Sequence, residues 1–96
     1  MRRYELVTII TPQVPDEELS DAVERLIRRP VESQGGVCEE INQWGRRRLA
    51  YPIQRHQEGN YVHTQLQLEP AQTRELERTL RISEEVLRHL LVRLDA

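Results

Sequence analysis

YVHTQLQL, residues 61–68, alternates strictly: Val62, Thr64, Leu66 and Leu68 fall on one side, and Tyr61, His63, Gln65 and Gln67 on the other. Successive side chains of a strand point to opposite faces, so the segment reads as a strand buried on its apolar side and solvated on its polar side. The sheet that contains it has one face open to water or to a partner.

Upstream of this strand, His56-Gln57-Glu58-Gly59-Asn60 supplies a polar turn containing glycine. Before the turn, Val37, Ile41, Leu49, Tyr51 and Ile53 share one parity over a long strand spanning residues 37–53, with an expected bulge at Gly45. Pro52 has no N–H to give to a ladder, which makes this an edge strand. Downstream, Glu69-Pro70 opens a helix that ends near Arg81, where Leu76 and Leu80 with Ala71 and Thr73 form a narrow apolar stripe. Val86 to Leu94 is then an apolar run of strand length.

The N-terminal third supplies one more strand and one more helix. Tyr4, Leu6, Thr8 and Ile10 alternate on one side while Val7 and Ile9 make the other side apolar too, so this strand is central; Pro12 and Pro15 end it. From Asp16 the apolar positions become Leu19, Ala22, Val23, Leu26 and Ile27, the spacing of one buried helical stripe. Asp16, Glu17 and Glu18 suit the positive end of that helix, and Asp21 with Arg25 and Glu24 with Arg28 are spaced as i,i+4 ion pairs. Pro30 removes the bond to the Leu26 carbonyl and predicts a kink or break, and Gln34-Gly35-Gly36 closes the helix. The order strand, helix, strand, strand, helix, strand predicts an α+β, ferredoxin-like βαββαβ sandwich as a single domain over residues 1–96. Right-handed crossovers place both helices on one face of a four-stranded antiparallel sheet whose first and third strands are central.

Composition narrows the function. The chain is 38% hydrophobic and 31% charged, with no apolar run approaching the roughly 18 residues of a spanning helix, so a soluble globular protein is expected. Met1-Arg2-Arg3 leads into a strand pattern interrupted by Glu5 and Thr8 rather than into a signal peptide, and a cytoplasmic location is the expectation. The single cysteine, Cys38, has no CxxC companion and lies beside Glu39 and Glu40, which favours a structural role. His56, His63 and His89 lack metal-ligand spacing, and no phosphate loop, nucleophile elbow or Cys/His pair is present, so neither metal nor cofactor is expected.

All fourteen basic residues are arginine, against sixteen acids, and their distribution is uneven. Arg46, Arg47, Arg48, Arg55 and His56 lie between Trp44 and Gln57 with no acid among them. On a strand Arg46 and Arg48 share one side and Arg47 faces the other. Guanidinium forks match phosphate oxygens, yet charged residues also protect an edge strand from aggregation, and the residues alone leave both readings open. A third reading, from another class, is a dimeric ferredoxin-like enzyme or small-molecule-binding protein that uses the open face around Tyr61 and His63.

MRRYE at the start of the first strand, GRRRLAYPI at Gly45 to Ile53, EGNYV at Glu58 to Val62 and LRISEEVLRHLLV at Leu80 to Val92 closely resemble the bacterial small-subunit ribosomal protein six family. The resemblance covers nearly the whole chain. It implies a non-catalytic component of the small ribosomal subunit that binds the central domain of small-subunit ribosomal RNA as a heterodimer with small-subunit ribosomal protein eighteen, supporting assembly. Arg2, Arg3 and Tyr4 match the family's N-terminal motif, and Arg47, Arg48, Leu49, Ala50, Tyr51 and Pro52 its second-strand motif. RNA or partner contact is expected of Arg2, Arg3, Arg47, Arg48 and Tyr51. Arg46 and Arg55 are added on charge alone, and Leu49 is expected in the sheet core. Two departures stand out: Pro30 lies where members continue the first helix, and the sequence stops at Ala96 without the polar tail many members carry.

Overall fold

The alternating stretch is the inner part of a strand that starts earlier than its polarity suggests. The computed structural model describes residues 1–94. Its elements are β1 (Arg2–Ile10), α1 (Asp16–Val23), a π-helical segment (Glu24–Arg28), α2 (Arg29–Ser33), β2 (Val37–Ile53), β3 (His56–Leu68), a 3-10 turn (Pro70–Gln72) leading into α3 (Thr73–Ile82), and β4 (Val86–Arg93). The sheet order is β2-β3-β1-β4 with every pairing antiparallel, so β1 and β3 are central and β2 is an edge, as the sequence predicts.

The helices cover one face. Leu6 and Ile10 of β1 and Val62, Leu66 and Leu68 of β3 join Leu19, Leu26, Ile27 and Val31 of the first helical run, and Leu76 and Leu80 of α3, in the main core. Each fully buried side chain of this size contributes about 1.5–3 kcal/mol. Alternation then places Glu5, Val7 and Ile9 of β1 and Tyr61, His63 and Gln65 of β3 on the helix-free face.

Pro30 neither breaks the helix nor ends it. Arg28 and Arg29 keep helical dihedrals, and the Arg29 N–H reaches back five residues to the Glu24 carbonyl in a π turn just before the proline. Widening the turn shifts the hydrogen-bond register where proline has no N–H to give. The ion pairs also differ in part from expectation. Arg28 reaches Glu24 at 2.9 Å, but Arg25 forks onto Glu85, ahead of β4, at 2.7 and 3.1 Å and holds that carboxyl below the usual carboxylate range.

Cys38 packs against the main core on the helix side of β2, and burial pushes its thiol up to about 11, with nearby Arg28 opposing. At pH 8 such a thiol is ionised about one part in a thousand, against about a quarter for an unperturbed one near 8.5. Iodoacetamide is therefore expected to alkylate the folded protein roughly 100-fold more slowly than the denatured chain, with a rate that keeps climbing to about pH 11. Because the native state holds this proton longer, Cys38 favours folding below about pH 8.5, and that contribution is lost as pH rises toward 11. Equal alkylation rates in folded and denatured protein would contradict the burial.

Candidate functional site

The hairpin of β2 and β3 outgrows the sheet. β1 pairs with β3 only as far as Asn60, opposite Arg46, and beyond that point the two hairpin strands are each other's only ladder partners among the described residues. The turn is the pair Gln54-Arg55, with φ of 50° and 70°, and β3 begins at His56. The expected turn at residues 56–60 is thus strand. Gly59 sits there because a Cβ would come within 2.4 Å of Ile9 Cγ2, so its small size serves close packing rather than a turn.

Three register shifts shape β2, the first between Cys38 and Glu40. Gly45 lies at the expected bulge, with a register shift after Gln43 and a φ of 87°. A larger one falls between Arg48, opposite Glu58, and Ile53, opposite His56, so five steps on β2 face two on β3. Pro52 lies in this excursion, where no ladder bond is asked of it. The strand curls over the helix-free face, and Leu49 is buried in a second small cluster with Ile9 and Leu87, flanked by Ile53 and Tyr61. Leu49 is therefore core, but of this cluster and not of the helix-covered one.

The arginines separate as alternation requires. Arg46 donates to the Pro12 carbonyl at 2.9 Å, on the side of the loop after β1. Arg48 shares that side and lines a cleft of about 310 Å³ with Pro12, Arg55, His56, Gln57 and Glu58. Arg47 faces the other way and lies over the Trp44 ring at 5.6 Å. Trp44 in turn stacks on His63, with centroids 5.2 Å apart and planes 5° from parallel.

Tyr51 is exposed, and its hydroxyl accepts a hydrogen bond from Arg88 of β4, which ties the hairpin across the sheet. Sequence reasoning missed Arg88, which lies in a run read only for its apolar residues. Arg2 and Arg3 do not join this group: they open β1, eight steps, or roughly 27 Å, from its far end. Arg3 is also engaged with Glu39 at 3.5 Å.

The open face is not the vacant polar surface that the outward row of β3 suggests. His63 is 8% exposed, covered by Trp44 and paired through Nε2 with Glu5 at 2.8 Å, which removes the access a ligand site around Tyr61 and His63 would require. Beside it Leu90 and Val92 of β4 are 57% and 46% exposed, and Trp44 46%. Among the described residues no group of three or more His, Cys, Asp or Glu is placed to hold a metal, and no helix is long and apolar enough to cross a membrane.

Fold and site together define a small ferredoxin-like module that presents a basic hairpin next to a partly apolar sheet face. Residues 3–93 match the profile of the family described as ribosomal protein S6. The small ribosomal subunit protein bS6 of Caldanaerobacter subterraneus is 42% identical over 95 residues, covering 99% of each chain, and that of Desulforamulus reducens is 39% identical, covering 97% of each. The crystal structure of 30S ribosomal protein S6 from Thermotoga maritima superimposes with a TM-score of 0.89 at 32% identity, over 97% of this chain and 87% of that one. The chain belongs to the ribosomal protein S6 family, a structural, non-enzymatic family of the small ribosomal subunit, which places it in the cytoplasmic ribosome. The C-terminal domain of the MgtC protein from Mycobacterium tuberculosis shares the fold, with a TM-score of 0.64 at 14% identity.

Proposed function

We propose that this chain binds the central domain of small-subunit ribosomal RNA as a heterodimer with small-subunit ribosomal protein eighteen and so supports subunit assembly. The observation that carries the reading is the arginine-bearing hairpin, which runs past the end of the β1 ladder with Arg46 and Arg48 on one side and Arg47 on the other, all three exposed. Exposed guanidinium groups clustered on one strand match the spacing and charge of a phosphate backbone. The net charge of −2 fits a protein that touches RNA through one patch and draws further affinity from a second protein. Trp44, Leu90 and Val92, exposed on the helix-free face with Arg47 beside them, suit that protein partner. Arg2 and Arg3 form a second basic point at the far end of β1.

The test is a mobility-shift titration of a central-domain RNA fragment with this chain, with and without protein eighteen, at several salt concentrations. A shift that needs both proteins and weakens with salt is expected. No shift with a folded partner present would sink the reading. Changing Arg47 and Arg48 together to alanine should weaken the complex by about tenfold or more, since a hydrogen bond to a charged group contributes about 1.5–3 kcal/mol. The thermal midpoint should hardly move, because neither side chain is in the core. A matching loss of folding would make these arginines structural.

A further inference from the structure

The chain uses its hairpin arginines unequally. Arg46 is spent on the Pro12 carbonyl and Arg47 lies on Trp44. Among the described residues, the guanidinium groups of Arg48 and Arg55 enter no hydrogen bond or ion pair within the chain. Both line the cleft of about 310 Å³ that Pro12 closes on one side, and the wall there is held in place: Asn60 and Arg46 both donate to carbonyls of the Thr11-Pro12 loop. Glu58 is the carboxylate on the lining, so two guanidinium groups against one carboxylate leave the cleft net positive.

The turn adds an independent observation. A two-residue hairpin loop with both residues left-handed suits Asn-Gly or Asp-Gly, and a larger side chain in that conformation costs about 1 kcal/mol or more. Here the positions hold Gln54 and Arg55. A strained backbone that carries an unengaged guanidinium to the lip of a cleft is the kind of outlier from which binding is inferred.

We propose that this cleft is the subsite for one backbone phosphate of the RNA, gripped by the forks of Arg48 and Arg55. The inference rests on the RNA-binding reading above and deepens it by separating the phosphate contact from Arg46 and Arg47.

The experiment measures RNA affinity of the heterodimer against salt for the wild type, Arg48→Ala, Arg55→Gly and, as a surface control on α3, Arg74→Ala. Arg55→Gly removes the guanidinium while relieving the left-handed strain, so its thermal midpoint should hold or rise. Arg48→Ala and Arg55→Gly should each bind RNA roughly tenfold more weakly, with the salt slope reduced by about one phosphate contact. Arg74→Ala should match the wild type, and heterodimer formation without RNA should be unaltered in all. A wild-type complex that fails to bind RNA would overturn the RNA reading itself. Wild-type binding that both cleft variants reproduce in affinity and slope would overturn the subsite alone. A parallel titration with inorganic phosphate distinguishes the source: binding lost in the cleft variants while their RNA affinity is unchanged would assign the cleft to free phosphate and overturn the proposal.

Discussion

Leu6→Ala is expected to lower stability by about 3–4 kcal/mol and the thermal midpoint by roughly 15–25 °C. Leu6 is fully buried in the middle of β1, opposite Thr64 of β3 on one flank and Leu91 of β4 on the other. Ladders on both sides hold the backbone in place, so the site cannot collapse around the missing atoms, and a cavity penalty adds to the lost transfer energy. Against a total stability of about 5–15 kcal/mol for a domain, the loss is a large share. Urea unfolding should show the midpoint falling with an unchanged slope. The same change at Val92, 46% exposed on the helix-free face, should cost less than about 0.5 kcal/mol. A Leu6→Ala cost as small as that would contradict the packing.

Most of this frame was legible in the sequence because period-two alternation and a 3.6-residue stripe are set by the same burial that builds the core. Tyr4 to Ile10 reads as central, and it is central; Pro52 reads as an edge marker, and β2 is an edge. The hairpin was misread where one residue type serves two physical ends. Gly59, between polar residues, looks like a turn glycine, yet it is small because Ile9 presses against it, and the turn falls instead on two residues with side chains. A left-handed Gln-Arg pair leaves no compositional mark.

The site was legible as charge but not as geometry. Three consecutive arginines reveal their alternation, and the structure keeps it. Nothing in the sequence says that Arg46 is used on a loop carbonyl, that Arg47 lies on Trp44, or that Arg88 reaches Tyr51 from β4. These partners come from other elements, and pattern reading within one segment does not see them. The same limit applied to His63, whose outward parity was clear but whose cover, Trp44, arrives through a bulge.

Gly36→Ala should be the costly change at the end of the first helical run, by about 3 kcal/mol, and Gly35→Ala the mild one, at about 1 kcal/mol. The two glycines close α2 together: the Gly35 N–H bonds the Glu32 carbonyl and the Gly36 N–H the Val31 carbonyl, both at 3.0 Å, as in a Schellman cap. Gly35 is the left-handed residue, with φ of 82°, yet a Cβ there meets nothing within 4 Å, so only backbone preference is lost. At Gly36 a Cβ would stand 2.6 Å from the Gln67 carbonyl oxygen, 2.7 Å from Leu68 Cδ1 and 2.9 Å from Val31 Cγ1. The Gln67 backbone cannot yield, because that residue pairs with Arg3 on one side and Val37 on the other. Relief has to come from moving the α2–β2 junction, which would draw Val31 out of the core. Thermal unfolding of the two variants decides the matter: a larger loss at Gly35 than at Gly36 would mean that backbone conformation, and not the close approach of β3, governs this corner of the fold.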